Sequence, residues 1–223
     1  MVLDKSQLKA PEVKRQFTFR LLNAAEVERL AADSVNELTV ALAERMQAGR
    51  DLCLAAFAHE QLAAYVWLAI GSIEAEHNSG RTRRSGVAVS FPPDTAFVYK
   101  AFTRPDFRGQ GLYPALLERS LSLLEARGVS RLVTTADWTN PAALHACRQL
   151  GFQVLGTLRR FACGPLAITL KPPNVRQLGI RLGRAARVDE REIYKLPRAP
   201  EAGTTSVNSP ELILSGATAP SKY

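Results

Sequence analysis

An α/β fold built on one mixed sheet is what this sequence predicts, and three observations predict it. Apolar runs of period two alternate with stretches of period 3.6 in the order β-α-α-β-β-β-α-β-α-β-β. Helical stretches open on polar caps and close on glycine, as at Asn140 and Gly151. A chain of 223 residues, 46% hydrophobic and 22% charged, has enough apolar side chains for one domain with a real core.

The elements follow in chain order. Residues 1–16 carry charge without period and are expected to be a flexible arm. Phe17–Leu22 alternates as a strand, and Asn23 then caps a helix with Glu26 three positions on, the pattern of a capping box. A second helix is expected from Asp33 or Ser34 to about Gly49, with Leu38, Ala41, Leu42 and Arg45 on repeating turns. Leu52–Ala58 and Leu62–Ile73 make a hairpin around His59, Glu60 and Gln61. Glu74–Ser85 is a polar loop, and Gly86–Ser90 is a short strand before Pro92 and Pro93. Ala96–Thr103 is the clearest strand, with Phe97, Tyr99, Ala101 and Thr103 on one face and Val98, Lys100 and Phe102 on the other. A helix over Leu112–Arg127, a strand over Arg131–Thr135, a helix over Pro141–Leu150 and strands over Phe152–Phe161 and Leu166–Leu170 complete the domain, taken as 17–171. Residues 172–200 form a basic extension, and 201–223, rich in Ala, Gly, Ser, Thr and Pro, form an expected disordered tail.

Composition excludes several function classes. The longest apolar run, Leu62–Ile70, is far shorter than the roughly 20 residues of a membrane span. The N-terminus has no apolar signal core, so a cytoplasmic protein without a membrane partner is expected. Cys53, Cys147 and Cys163 lack CxxC spacing, and His59, His77 and His145 stand apart, so neither a disulfide framework nor a metal site is expected. The net charge of +8 invites a nucleic-acid partner. Yet eight basic and three acidic residues fall between Lys171 and Arg198, so most of the excess belongs to the extension and argues against that partner.

One segment carries chemistry. After the clearest strand the chain reads Arg108-Gly109-Gln110-Gly111-Leu112-Tyr113-Pro114. Gly109 and Gly111 let a bulky group approach the backbone. Pro114, tolerated only in a helix's first turn, pins the helix start to about Gly111–Tyr113. The free N–H groups of that turn, aided by the helix dipole and by Arg108, suit a diphosphate. A Walker loop is absent because no Gly-Lys-Ser/Thr follows, and the dinucleotide fingerprint fails at Pro114. By itself the segment is equally a plain tight turn.

This loop resembles the R-G-x-G-x-[G/A] coenzyme-A loop of the GNAT superfamily of N-acetyltransferases. A second landmark, Asn140 through Ala143 and Cys147 to Gly151-Phe152, is similar to that family's N-x-x-A-x-x-x-Y-x-x-x-G-F segment. The resemblance covers about residues 17–170 in element order. It implies a mostly antiparallel mixed sheet flanked by helices, with splayed central strands. It also implies acetyl-CoA or another acyl-CoA as co-substrate, no metal, and an amine of a small molecule or peptide as acceptor; a second copy of the chain is left open as a partner. Arg108, Gly109, Gln110, Gly111, Leu112 and Tyr113 would hold the diphosphate, and Phe102, Thr103, Asn140 and Ala143 the pantetheine. Two positions depart from the family. Tyr113 replaces the usual Gly or Ala, and Cys147 replaces a tyrosine that often acts as general acid.

Direct attack of an amine on the thioester needs a base, an oxyanion donor and a proton for the leaving thiolate. Asp94 is the first candidate base, or else a turn residue of Pro-Pro-Asp-Thr. Glu60 is a second, or a solvated turn carboxylate. Tyr99 is a candidate to donate a proton or position substrate, or to pack in the core. Cys147, with a reference pKa of about 8.5, is a candidate proton donor or an inert buried thiol. A non-catalytic acyl-CoA sensor is the rival function.

Overall fold

A computed structural model describes residues 1–8, 13, 17–78, 86–163 and 166–183. Its centre is a six-stranded sheet in the order β1-β8-β7-β4-β3-β2, formed by β1 (Val2–Asp4), β2 (Thr18–Leu21), β3 (Asp51–Ala58), β4 (Gln61–Ile70), β7 (Thr95–Thr103) and β8 (Arg131–Thr134). Every neighbouring pair is antiparallel except β7–β8, which is parallel. A small sheet joins β5 (Ser72–Ile73), β6 (Ala88–Ser90) and β11 (Arg181–Gly183), and β9 (Arg159–Cys163) pairs with β10 (Leu166–Leu170). Among the described residues, no helix is long and apolar enough to cross a membrane.

Helices cover both faces. On one lie α3 (Leu112–Glu125) and α4 (Pro141–Gln149). Leu112, Leu116, Leu117, Leu121 and Leu124 form the apolar stripe of α3 and pack with Cys147 of α4 and the following Leu150 on Val66, Leu68, Val98 and Leu132. Each fully buried leucine stabilises by roughly 1.5–3 kcal/mol, which makes α3 the main clamp on the sheet. The opposite face carries α1 (Ala24–Ala31) and α2 (Val40–Gln47), whose Val27, Leu42 and Ala43 meet Cys53, Ala55, Tyr65, Trp67 and Phe102.

Local signals place several elements where they are expected. Asn23 and Glu26 form the capping box of α1, each side chain receiving the other's backbone N–H at 2.9 Å. Helix α3 begins at Leu112, which puts Pro114 in its first turn. Asn140 caps α4 by accepting the N–H of Ala143 at 3.1 Å.

Other expectations are corrected. Residues 2–4 are not a loose arm: they pair with β8 and meet Gln153 on their other side. The second helix starts at Val40 rather than at Ser34, because Glu37 adopts φ 53° and ends a short 3₁₀ turn over Ser34–Asn36. The run Leu62–Ile73 breaks at Gly71, where φ is 78°. The strand expected over Phe152–Phe161 begins only at Arg159. Part of the basic extension folds back, with Arg181–Gly183 pairing with β6 and Val175 and Ile180 buried. The remainder from 184, the tail over 201–223 and the end of the polar loop, 79–85, lie outside the described residues.

The correction with most consequence lies in β7. Trp67 pairs with Lys100 but Leu68 pairs with Val98, so Tyr99 is an extra residue, a β-bulge. Strict alternation would put Val98 and Phe102 on one face. The bulge instead sends Val98 to the α3 side and Phe102 to the α1–α2 side.

Candidate active site

The parallel pairing of β7 and β8 covers only Thr95–Val98 against Arg131–Thr134. Beyond it, Tyr99–Thr103 has β4 on one edge and, among the described residues, no strand on the other. These are the splayed strands. The N–H of Arg104 bonds to Ala63 O at 2.9 Å. Counting the antiparallel alternation back from that bond turns the N–H and C=O of Phe102 toward β4, and those of Ala101 and Thr103 toward the open edge. Thr103 is therefore where an extended ligand can pair with the backbone. Phe102 is not, for its ring is buried and stacked on Tyr65 at 5.4 Å, and Ala101 takes its place.

The loop after β7 lies at the end of that edge. Gly109 and Gly111 both adopt left-handed backbone, φ 71° and 78°, on either side of Gln110. A Cβ added at Gly109 would meet nothing within 4 Å, so the space over the turn is open. Among the described residues nothing accepts the N–H of Gly109, Gln110 or Gly111. Leu112 and Tyr113 open α3, where N–H groups have no intrahelical partner. Arg108 donates from Nε to Thr103 O at 3.2 Å, which ties the guanidinium beside the turn. Five unpartnered amide donors and a cation beside an open space suit a diphosphate.

Asn140 and Ala143 stand at the start of α4 and are tied to each other by the cap, so the Asn140 carboxamide oxygen already has a partner. Deeper on α4, the Cys147 side chain is buried in the apolar cluster against which Tyr113 of α3 packs. Burial, then the Cys147 contact, pushes the Tyr113 phenol well above its usual range. Burial likewise raises the Cys147 thiol, so both groups hold their protons at neutral pH.

The remaining candidates are scattered. Asp94 precedes β7 at the end away from the loop, roughly 30 Å from it along a nine-residue strand. Its carboxylate accepts the Thr95 hydroxyl at 2.9 Å and faces Arg131 at 3.6 Å, which makes it a turn residue. Glu60 is exposed at the β3–β4 turn. Tyr99 points into a buried polar cluster, donating its hydroxyl to Asp51 Oδ2 at 2.7 Å, with its ring 6.3 Å from Trp67. Burial first, then the Asp51 charge, drives the Tyr99 phenol far up, so it keeps its proton for Asp51.

Sequence reasoning missed that cluster. Arg45 of α2 grips Asp51 with Nε at 2.6 Å and Nη2 at 2.9 Å, both side chains being buried, and also bonds Glu74, which Arg50 holds at 2.6 Å. Asp51 follows Gly49-Arg50 and carries no signal beyond a helix end. Burial alone would push the Glu74 carboxyl up, but its own backbone N–H and the two arginines outweigh it and hold it low. A folded pKa below the unfolded one stabilises above the unfolded value and is lost as pH falls through the folded value. Glu74→Gln is therefore expected to lower the melting temperature near neutrality and to flatten its fall between about pH 5 and pH 3, a change that thermal melts across that range measure.

Comparison with known proteins bears on this arrangement. The sequence model of the acetyltransferase (GNAT) family matches residues 19–152. Among similar solved structures is aminoglycoside N-acetyltransferase AAC(6')-Iy in complex with CoA, at 15% identity over 68% of this chain and 99% of that one, TM-score 0.49. Another is aminoglycoside 6'-N-acetyltransferase AAC(6')-Ih from Acinetobacter baumannii, at 14% identity over 67% and 99%, TM-score 0.49. A third is a ribosomal-protein-alanine N-acetyltransferase from Brucella melitensis biovar Abortus 2308, at 16% identity over 63% and 94%, TM-score 0.44. No curated protein matches the sequence. The family match runs from β2 past α4, more than half of the chain, and takes in the splayed strands and the loop between them: the chain belongs to the GNAT family of acetyltransferases.

Proposed function

We propose that the protein moves an acyl group, acetyl foremost, from acyl-CoA to an amine of a small molecule or peptide by direct attack in a ternary complex. The observation that carries this reading is the set of unpartnered amides at Gly109–Tyr113, beside Arg108, where the open edge of β7 ends. Diphosphate on the loop lets the pantetheine run back along the outward N–H and C=O of Thr103 and Ala101. That brings the thioester toward the Tyr99 bulge, where the two strands part. Held there, donor and acceptor react as one bound pair, and orientation supplies much of the acceleration. Asp94 lies away from this path, so the amine attacks from its unprotonated fraction.

A non-catalytic acyl-CoA sensor is favoured by one observation, that the Asp94 and Tyr99 side chains are both committed to structural bonds. The two readings separate in one assay. Purified full chain is given acetyl-CoA with polyamines, aminoglycosides and short peptides in turn, and free thiol is measured. The enzyme reading expects at least one amine to raise thiol release by about tenfold or more over acetyl-CoA alone. Acetyl-CoA binding with no acceleration by any amine would establish the sensor instead.

A further inference from the structure

With its diphosphate at the head of α3, CoA would enter the splayed strands from the face that α3 and α4 cover. An amine that attacks the thioester then comes from the opposite face, the one that carries α1 and α2. The chain has an amine of its own there. Lys100 follows the Tyr99 bulge on β7, within the stretch that has β4 on one edge only. Its Nζ donates to the backbone carbonyl of Glu37, which ends the 3₁₀ turn between α1 and α2. The bulge to which the thioester would be brought and the root of the Lys100 side chain are neighbouring residues of one strand. A flexible four-carbon stem spans that separation.

The surroundings of Lys100 suit a nucleophile better than a structural cation. Among the described residues it forms no ion pair, and its hydrogen bond goes to a neutral carbonyl, whereas Lys5 is paired with Glu125. It is half-buried, opposite the fully buried Trp67 of β4. Burial lowers the Lys100 ammonium from its usual range, against the pull of the Glu37 charge. More free amine is therefore present at a given pH than on an exposed lysine. The tie to Glu37 is also dispensable. The Tyr65 hydroxyl contacts the carbonyls of Asn36 and Glu37 at 2.9 and 3.3 Å, and Arg104 holds the Asn36 side chain at 3.0 Å. The connection between α1 and α2 thus keeps its anchors when Lys100 turns toward the gap.

Building on the acyl-CoA reading above, we infer that Lys100 is a self-acylation site, which takes the acyl group from the chain's own bound acyl-CoA when no other amine is present. In the step, the lone pair of neutral Nζ bonds the acyl carbon, and the carbon–sulfur bond breaks with its electron pair on sulfur. The surplus proton on nitrogen passes through water to the thiolate. The products are CoA and a Lys100 side chain that carries an uncharged amide.

The test needs no acceptor. Full chain receives acetyl-CoA with a deuterated acetyl group, calorimetric titration measures binding, and mass spectrometry of digested protein locates the label. Folded chain should gain label on Lys100 at least about tenfold faster than chain unfolded in guanidinium, because proximity acts only in the bound pair. With acetyl-CoA saturating, the rate per chain should not change when the protein is diluted about tenfold. Bound acetyl-CoA with Lys100 unlabelled, or labelled no faster than in the unfolded chain, overturns the inference and leaves acyl-CoA binding in place. A rate per chain that rises with protein concentration means transfer between molecules and overturns it as well. Failure of acetyl-CoA to bind overturns the acyl-CoA reading and this inference with it.

Discussion

Gly109→Val is expected to weaken acetyl-CoA binding by at least about 100-fold, a loss of nearly 3 kcal/mol, with little harm to the fold. The residue is exposed at φ 71°, and a Cβ there would touch nothing within 4 Å, so no packing is disturbed. What changes is the turn. A β-branched side chain resists left-handed backbone at a cost of about 1–2 kcal/mol. Its methyl groups would also stand in the open space over the loop amides. Gly128→Val is the matched control: it has φ 78° and equally open space, but lies beyond the other end of α3. Both variants should melt slightly below wild type, and calorimetric titration should find only the first deficient in acetyl-CoA. Equal affinities in the two would remove the loop from the ligand site.

Asp51→Ala should destabilise the protein by about 3–5 kcal/mol, because it leaves a buried guanidinium without its carboxylate. Arg45 is 5% exposed and Asp51 1% exposed, and Tyr99 loses its acceptor in the same change. Glu74 still contacts Arg45, but from a position about one-third open to solvent, at 32%, which cannot replace a fully buried partner. Urea unfolding measures the loss. Glu60→Ala, exposed at the β3–β4 turn, should stay within about 0.5 kcal/mol of wild type.

Features written within a few neighbouring residues are legible in the sequence. The Asn23–Glu26 box, the Asn140 cap and the start of α3 two residues before Pro114 each depend on a side chain bonding its own turn or on a proline's missing N–H. The splay of the strands follows from resemblance alone. Features set by a partner distant in sequence are not legible there. The Tyr99 bulge exists only in the register of β7 against β4, so alternation alone misassigns one side of that strand. Val2–Asp4 is too short to show a period, yet it completes a sheet edge. Asp94 draws attention by standing next to the central strand, but it stands at the end away from the loop, beside Arg131. Asp51 and Arg45, whose pairing holds the floor of this region, look in sequence like the ordinary polar end of a helix. Tyr113 and Cys147 each stand out as a departure from the family pattern, and only the fold shows that both belong to one apolar cluster.

The proposed acyl transfer depends on bare main-chain amides at the head of α3 holding the diphosphate of CoA, and a crystal structure of the full chain with CoA puts that proposal to the proof. The diphosphate oxygens should lie within about 3 Å of the amide nitrogens between Gly109 and Tyr113, with the pantetheine along Ala101 and Thr103. A diphosphate seated instead on the basic stretch from Lys171 to Arg198, with those amides facing water, would contradict it.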